Sequence, residues 1–527
     1  MSFQSQVVRN AQTVEYGKFV EIQNDSRFPA ISVTRVQYKD SSSAFPNNLN
    51  IPPLTSVEIY PKYGVITYLA NASDIQVSLS AGILNVGDVK VTNTAAVSGS
   101  VTVLNPTSAI NVTYPLDSGN IDAFGRLRVS FPTTLFDSKT LHNKASLFWS
   151  QTAVGVGAVV QFTGEGTDAS VTLSAAANGA YAIRQTTQRF NYQPGKSQLC
   201  LYTGVLTPVS NALKRIGSFQ SLTAAPYYPN CGLYFETQTD SPSSIAVVQQ
   251  NNSFLVPTVS ARRENWNIDK LDGRGPSGKI LQLSAANIFM IDYEWLGVGR
   301  TRYGFVIDGQ ICYCHAFNNA GNVPGAYMLT PNLPVRAELR QTGAGSATMK
   351  MICCSIMSEA GADFTGVTRA VTNGSTKVAI TTNGNRRALI GVRLQATKLD
   401  SVNEVLNASI FAEPGNNATT APFLYELVTN PTLGGSAVTW TDVDANSNFQ
   451  YAVAPDNTVT VSGGTVIAAG YSNLNNILDL ANSRFEKFLR LGCTVTGERD
   501  QLWLVVTPLA SNTINGFYGG ITFIESD

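Results

Sequence analysis

Short runs of alternating apolar and polar residues follow one another through almost the whole chain. The runs are rich in Val, Ile, Thr, Tyr and Phe and are broken by Gly, Asn, Asp, Pro and Ser. This period of two is typical of β-strands that bury one face. The best helix candidate is residues 472–492, which end at Gly492, but strands account for the same residues equally well. The pattern therefore predicts an all-β, multi-domain protein built from jelly-roll or β-sandwich domains.

Two stretches of the chain carry the pattern of a β-hairpin. In residues 301–317 the central Asp308-Gly309 pair suits the positive φ angles of a type I′ turn. That turn would place four core side chains on one face, namely Tyr303, Phe305, Cys312 and Cys314. In residues 334–357 a Gly-rich turn separates two alternating runs. We predict a second hairpin there, with inward side chains at Val335, Ala337, Leu339, Met349, Met351 and Cys353.

Changes in composition divide the chain into four regions. Residues 1–72 are predicted to form a β-rich docking segment, and residues 73–119 an extended β shaft or linker. Residues 120–365 form the predicted central jelly-roll-like β-sandwich domain. Residues 366–527 form a predicted C-terminal β-sandwich domain.

The region 73–119 differs most from its surroundings. It repeats V-x-V units and has no aromatic residue between Ile75 and Val112. Short strands with nothing large to pack against cannot bury enough apolar area to fold alone. The region is therefore expected to be a fibrous shaft stabilised by copies from other chains. The alternative is an extended linker laid across a neighbouring domain of its own chain.

The charge balance excludes several classes of protein. Lys and Arg number 36, Asp and Glu also number 36, charged residues make up 14% of the chain, and hydrophobic residues make up 43%. Intrinsic disorder needs low hydrophobicity and high net charge, so it is disfavoured. A chain without a basic excess has no overall attraction to nucleic acid or anionic membranes. No stretch approaches the ~20 apolar residues of a membrane helix, so we expect no nucleic-acid partner and no membrane insertion.

Cysteine and histidine usage argues against metal chemistry. The chain has two histidines, His142 and His315, and seven cysteines without a C-x-x-C motif. A structural zinc site needs four convergent ligands, so we expect no metal site, no cofactor, and reduced, buried thiols. The N-terminal residues lack the basic start and apolar run of a signal peptide. We therefore expect the chain to be made in a cytoplasm.

Five ordered blocks in the central region resemble a known group of proteins. The blocks are residues 122–139, 184–204, 265–320, 330–339 and 351–361. They are similar to a widespread set of virion structural proteins of tailed bacteriophages and other large double-stranded DNA viruses, known as fibre, tail or head-associated proteins. The V-x-V region ahead of them also resembles segments of phage fibre proteins.

The resemblance implies a non-enzymatic structural component of a virus particle, assembled in the host cytoplasm. It would be a fibre or decoration protein on the head, collar or tail, and the resemblance does not choose among these places. We expect such a protein to form a homo-oligomer, with a trimer as the favoured state. Its other partners would be capsid or tail proteins and the host surface.

The first of these blocks carries two arginines in alternation, Arg126 and Arg128. On a strand, alternate positions share one face. From that face the two guanidinium groups could bind a carboxylate of a neighbouring segment through bidentate hydrogen bonds. We therefore interpret them as determinants of the fold.

The segment FMIDYEWLG, residues 289–297, suggests an alternative function. It resembles the catalytic strand of laminarinase-type glycoside hydrolases, whose concanavalin-like jelly roll carries Glu, Asp and Glu at alternate positions. Met290, Asp292 and Glu294 occupy those positions here, and Met290 cannot be the nucleophile that retaining hydrolysis requires. We therefore assign no catalytic residue, and a polysaccharide depolymerase is only the third hypothesis. The alternative to the structural component is a virion carbohydrate-binding (receptor-binding) protein with glycan contacts at Asp292, Glu294, Trp295 and Trp266.

Overall fold

A computed structural model divides the chain into two compact units, Met1–Asn111 and Val112–Asp527. It describes short strands before residue 79 and, beyond them, residues 119–128, 132–163, 169–237, 245–359, 361, 365–416, 418–473, 475–479, 490–510 and 513–526. Of the predicted shaft or linker over 73–119, only 76–78 and residue 119 are described. The shaft itself therefore lies outside the described residues.

The described part of the first unit consists of short antiparallel strands. They are β1 (Gln12–Val14), β2 (Val20–Gln23), β3 (Ile31–Tyr38), β4 (Ala44–Phe45), β5 (Leu49–Ile51), β6 (Ser56–Ile59), β7 (Ile66–Ala70) and β8 (Gln76–Ser78). One sheet has the order β1-β7-β3-β4, with β5 paired to β3, and another has the order β6-β2-β8. The docking role of residues 1–72 stays a prediction.

The second unit begins with a β-sandwich. Its strands are β9 (Thr133–Lys139), β10 (Trp149–Val154), β11 (Val159–Thr163), β12 (Ser170–Ala175), β13 (Tyr181–Thr186), β14 (Gln198–Val205), β15 (Ala212–Ser221), β16 (Pro229–Thr237), β17 (Ile245–Asn251), β18 (Val259–Arg262), β19 (Asn287–Tyr293), β20 (Arg300–Ile307), β21 (Gln310–Asn318), β22 (Val335–Gln341) and β23 (Ala347–Ser358). A 3₁₀ turn, Arg263–Asn265, follows β18.

Two antiparallel sheets make up this first sandwich. Sheet A has the order β10-β13-β22-β15-β16-β17-β18, and sheet B has the order β11-β12-β23-β14-β19-β20-β21, with β9 paired to β23. The core between them is one cluster of buried side chains from Trp149 to Ile356. Alternation explains it, because each strand sends every second side chain inward.

The hairpin predicted over residues 301–317 is confirmed as β20 and β21. Asp308 and Gly309 have φ angles of 51° and 73°, as a type I′ turn requires, and Phe305 lies opposite Cys312. A bulge between Tyr303 and Gly304 shifts the remaining register by one residue. Tyr303 consequently lies opposite His315, although its ring still joins the core.

The hairpin predicted over residues 334–357 is wrong. The first run is β22, which pairs with β13 and β15 in sheet A, and the second is β23, which pairs with β12, β14 and β9 in sheet B. The Gly-rich connection crosses from sheet A to sheet B. The prediction failed because period-two alternation is the same in a hairpin within one sheet and in a connection between two sheets. A register shift where β14 pairs with β23 also places Cys354, and not Cys353, in the core.

The C-terminal residues form a second sandwich. Its strands are β24 (Val367–Thr372), β25 (Arg387–Leu394), β26 (Val402–Pro414), β27 (Phe423–Thr429), β28 (Thr432–Gly434), β29 (Thr441–Asp442), β30 (Phe449–Val453), β31 (Thr460–Ser462), β32 (Thr465–Ser472), β33 (Asn475–Asp479), β34 (Gln501–Pro508) and β35 (Ile514–Ser526). Sheet C has the order β24-β35-β26-β33. Sheet D has the order β28-β31-β25-β34-β27-β32, with β30 paired to β25 and β29 to β30.

The two sandwiches contact each other through residues 490–500. The amide of Cys493 donates to the carbonyl of Thr187 at 3.0 Å, and Val495 is buried against Tyr181 and Ile183 of sheet A. The second sandwich keeps its own core, a separate cluster from Val371 to Phe523. The predicted boundaries at residues 72, 119 and 365 nevertheless stay predictions.

Two smaller expectations have clear outcomes. Within the helix candidate 472–492, residues 475–479 form a strand that pairs with β26, and residues 480–489 lie outside the described residues. All seven cysteines are free thiols, and six of them are buried. In the part of the chain that the structure describes, no helix is long and apolar enough to cross a membrane.

Candidate functional site

The side chain of Asp292 lies on the outer face of sheet B and is completely buried. Its carboxylate accepts hydrogen bonds from Arg302 at 2.5 Å, from the Tyr313 hydroxyl at 2.7 Å and from the Ser197 hydroxyl at 2.7 Å, and it forms an ion pair with Arg128. Burial alone would raise the pKa of Asp292. The two guanidinium groups instead lower it below its usual range, so Asp292 is an anion inside the protein.

Residues 119–128, which we call the strap, cover this carboxylate. The strap is a turn closed by a β-bridge between Ile121 and Leu127, and the Ile121 carbonyl accepts a hydrogen bond from Arg302. Arg128 also reaches Glu359, with Nε 3.1 Å from the carboxylate. The strap therefore closes the outer face of sheet B at Asp292.

The prediction that Arg126 and Arg128 together bind a carboxylate is correct for Arg128 only. The turn directs Arg126 back to Asp122 within the strap, at 2.7 Å. Residues 126–128 are not a strand, so the alternation argument fails here.

The four predicted glycan contacts do not share one groove. Asp292 and Trp266 are buried, with 0% and 4% of their surface exposed. The indole N–H of Trp266 donates to the Ala261 carbonyl at 3.2 Å, inside the core. Glu294 and Trp295 follow the end of β19 and are partly exposed. Asp292 and Trp266 are therefore corrected to structural residues, because a ligand cannot reach either side chain in this conformation.

Glu294 shapes the loop between β19 and β20. Its carboxylate accepts a hydrogen bond from the amide of Arg300 at 2.9 Å. Burial raises the pKa of Glu294 above its usual value. Because this side chain closes its own loop, it is a poor candidate for a ligand contact.

Trp295 is the one predicted contact that lines a large cavity. We call this cavity the polar cleft. It has a volume of about 1020 Å³ and lies between the two sandwiches. The first sandwich supplies the loops around residues 191–196 and 329–332, and the second supplies residues 398–401 and 446–448.

Two aromatic side chains form one wall of the polar cleft. Tyr192 stacks on the buried Tyr293, with ring centroids 5.7 Å apart, and meets Trp295 edge to face at 6.2 Å. The Tyr192 hydroxyl accepts a hydrogen bond from the Trp295 amide at 2.7 Å, and the indole N–H of Trp295 donates to the Met328 carbonyl at 3.2 Å. Both rings are therefore held in place before any ligand arrives.

The remaining lining of the polar cleft is rich in groups that form hydrogen bonds. The carboxamide residues are Asn191, Gln193, Asn332, Asn446 and Asn448, and the charged residues are Lys196, Arg369, Lys398, Asp400 and Glu525. Several of them fix the walls. The Asn332 side chain accepts a hydrogen bond from the Tyr192 amide at 3.1 Å, and Glu525 pairs with Arg369 while accepting from the Asn448 amide at 2.7 Å.

Sequence reasoning missed every residue of this cleft except Trp295. Residues 191–196 and 330–332 lie within the blocks that carried the family resemblance, where they were interpreted as part of the fold. The run Asn-Tyr-Gln-Pro-Gly-Lys at 191–196 mixes an aromatic ring with carboxamides and a turn. This mixture of residue types was the feature of the sequence that could have indicated a ligand-binding loop.

No protein-family model and no curated protein matches the chain. Structural neighbours include the carbohydrate recognition domain of Emp47p, with 12% identity, 43% of this chain and 97% of that chain covered, and a TM-score of 0.28. Another is a legume lectin-like domain from Entamoeba histolytica, with 8% identity, 43% and 98% coverage, and a TM-score of 0.26. A third is a β-glucanase of Bacillus licheniformis, with 9% identity, 43% and 98% coverage, and a TM-score of 0.26. Similarity at this level identifies no ligand or activity for this chain.

Proposed function

We propose that this chain is a carbohydrate-binding protein and that the polar cleft is its glycan site. The observation that carries the proposal is the pairing of the partly exposed Trp295 ring, held in place by the buried Tyr192, with a lining rich in carboxamide and charged groups. Ligand sites combine apolar surface with a few placed polar groups. A sugar matches both kinds of surface. The C–H groups on one face of its ring pack on an aromatic ring, and its hydroxyls form hydrogen bonds with carboxamides and carboxylates.

The proposed activity is binding without hydrolysis. Retaining hydrolysis needs two carboxyl groups about 5–5.5 Å apart, one of them free to attack the sugar. The carboxylates that line the polar cleft are Asp400 and Glu525. Glu525 is 4% exposed and is held by Arg369, by the Ser447 hydroxyl and by the Asn448 amide. A carboxylate fixed in this way stabilises the fold and is not available as a nucleophile.

A glycan array probed with the purified full chain tests the proposal, followed by calorimetric titration of the best ligand. Trp295→Phe keeps an aromatic ring but makes its surface smaller, and Asn446→Ala removes an exposed carboxamide. We expect each change to weaken binding about tenfold, the loss of one good contact. Tyr471→Ala is the control, because Tyr471 is 74% exposed and does not line the cleft. An array without binding, or equal affinity in all three variants, would reject the proposal.

The hypothesis of a virion fibre or decoration protein stays a prediction, as do its trimeric assembly, its capsid or tail partners and its location. Its main structural argument was the shaft over 73–119, which lies outside the described residues. The mass of the purified protein in solution tests the homo-oligomer directly. A folded monomer would contradict assembly through the shaft without affecting the glycan proposal.

A further inference from the structure

Lys214 in sheet A is a buried lysine. It lies between Ala212 and Ile216, both in the core, so its side chain points between the two sheets. Only 1% of its surface is exposed. Its ammonium donates a hydrogen bond to the carbonyl of Thr207. Among the described residues it forms no ion pair.

A pocket of about 370 Å³ adjoins this side chain. Its lining includes the hydroxyl residues Thr207, Ser346 and Thr348 and the apolar residues Val205, Val209 and Met349. Lysine is the only charged residue type in the lining. We call this cavity the Lys214 pocket.

Two connected loops contribute Thr207, Val209 and Ser346 to the lining of the Lys214 pocket. The amide of Thr342 donates to the Asn211 carbonyl at 2.7 Å, and the side-chain amide of Asn211 donates to the Ala344 carbonyl at 3.2 Å. These bonds tie loop 206–211 to loop 342–346. The two loops are therefore held together by hydrogen bonds.

A buried ammonium is expensive unless an anion or several acceptors compensate it. Burial lowers the pKa of Lys214 to about 8, so at pH 7 the amine remains mainly protonated. An ammonium has three donors, and one of them is committed to Thr207. The Lys214 ammonium thus gives the pocket a positive charge, and its other N–H groups can donate hydrogen bonds to a ligand.

We propose that the Lys214 pocket binds a small organic oxyanion, whose negative oxygens pair with the Lys214 ammonium. The hydroxyl residues supply further donors to the anion, and the valines and Met349 pack against its carbon skeleton. The volume suits a compact carboxylate, sulfate ester or phosphate ester. This site is separate from the polar cleft, so it does not depend on the proposed glycan binding.

The test compares the full chain with two variants that each lose one positive charge. Lys214→Met removes the proposed counter-charge. Lys139→Gln is the matched control, since Lys139 is exposed at the end of β9 and does not line the pocket. The probes are acetate, benzoate, inorganic sulfate and inorganic phosphate, each measured by titration at constant ionic strength against chloride.

We expect at least one probe to bind, with affinity at least tenfold weaker in Lys214→Met and unchanged in Lys139→Gln. If benzoate binds more tightly than acetate, the ligand class is a carboxylate with an apolar body. If phosphate or sulfate binds most tightly, the ligand class is a phosphate or sulfate ester. Equal binding to the native chain and Lys214→Met would overturn the site, as would no binding of any probe.

If Lys214→Met does not fold, the titration of Lys214 in the native chain decides the matter. Carbon-13 resonances of the lysine side chain report its pKa in chloride and in the saturating probe. A bound oxyanion raises that pKa from about 8. A pKa that stays the same with every probe contradicts the proposal.

Discussion

The carboxylate of Asp292 accepts a hydrogen bond from the guanidinium of Arg302 at 2.5 Å, and both side chains are completely buried. Arg302 also stacks over the Tyr313 ring, 4.2 Å from its centroid. The acidic position that resembles a glycosidase strand therefore belongs to a closed ion-pair network. In this protein that network holds the strap to sheet B.

Two completely buried arginines should respond in opposite ways to the same substitution. Arg302 is paired, whereas none of the three side-chain nitrogens of Arg184 has a hydrogen-bond partner among the residues that the structure describes. The guanidinium of Arg184 lies 4.3 Å from the centroid of the Trp149 ring. Burial lowers the pKa of Arg184 to about 10. We expect Arg302→Met to lower the free energy of unfolding by about 3–5 kcal/mol, because Asp292 loses its completely buried cation and keeps only the ion pair with the partly exposed Arg128.

Arg184→Met should instead raise the free energy of unfolding by about 1–2 kcal/mol, because relief of desolvation exceeds the lost cation–π contact. Urea unfolding at pH 7 measures both variants. A large loss of stability in Arg184→Met would show that this guanidinium has a partner that supports it.

Glu338 on the outer face of sheet A should be the most sensitive carboxylate of the first sandwich. It is completely buried and pairs with Arg215 at 2.8 Å, and also with Arg336 and Arg340. Burial opposes its charge, but Arg336, Arg215 and Arg340 together lower its pKa to about 2. Glu338→Gln should cost about 3–5 kcal/mol, since three guanidinium groups lose their shared anion.

Asp308→Asn is the control for Glu338, because its ion pair with Lys279 at 2.9 Å is exposed to solvent. An exposed pair contributes less than about 1 kcal/mol. Urea unfolding measures both variants. Equal losses in the free energy of unfolding would mean that the Glu338 network stabilises the fold no more than an exposed ion pair does.

The strap should loosen when Arg128 loses its charge. In Arg128→Met, Asp292 keeps Arg302 as a partner, so we expect a smaller loss of about 2 kcal/mol in the free energy of unfolding, together with faster proteolysis within residues 119–128. Arg126→Met should change both quantities little, because Arg126 is half exposed, its ion pair lies within the strap, and its bond to the Gly195 carbonyl is exposed to solvent. Limited proteolysis followed by mass spectrometry locates the cuts. Identical cleavage rates in both variants would count against the role given to Arg128.

His315 should make the first sandwich sensitive to acid. Its Nδ1 accepts a hydrogen bond from the Asn267 amide at 3.2 Å, and burial lowers its pKa from 6.5 to about 4. Between these values the unfolded chain binds the proton more tightly than the folded chain. Stability is therefore lost as the pH falls from 6.5 to 4, with a slope of at most about 1.4 kcal/mol per pH unit.

His315→Gln should remove this part of the pH dependence, and His142→Gln should retain it, since His142 is exposed. Urea midpoints between pH 7 and pH 4 measure the difference. The same slope in all three proteins would place the acid sensitivity elsewhere.

Features set by neighbouring residues were predictable from the sequence. The type I′ turn at Asp308-Gly309 needs only two residues that tolerate positive φ, and the inward faces of β22 and of β23 as far as Met351 need only alternation. Which strands pair is a different matter. Period-two alternation says which side chains point inward, but it is identical whether the next strand joins the same sheet or the opposite one.

The candidate site was harder to predict because its contacts are distant in sequence. Arg128 and Asp292 are 164 positions apart, so the strand around Asp292 shows an acidic side chain without the cation that neutralises it. The polar cleft combines loops from both sandwiches, and no single segment displays it. Trp295 was found because it follows a recognisable strand, whereas Tyr192 and Asn332 acquire their places only after folding.

The strap also has a practical implication for dissecting the molecule. A fragment that started at Thr133, the first residue of the first strand of this sandwich, would omit Arg128 and leave Asp292 and Glu359 without that partner. Such a fragment would be unstable because it lacks this ion-pair partner, and not because its sheets fail to fold. An independently expressed version of this half of the molecule should therefore include residue 119 onward.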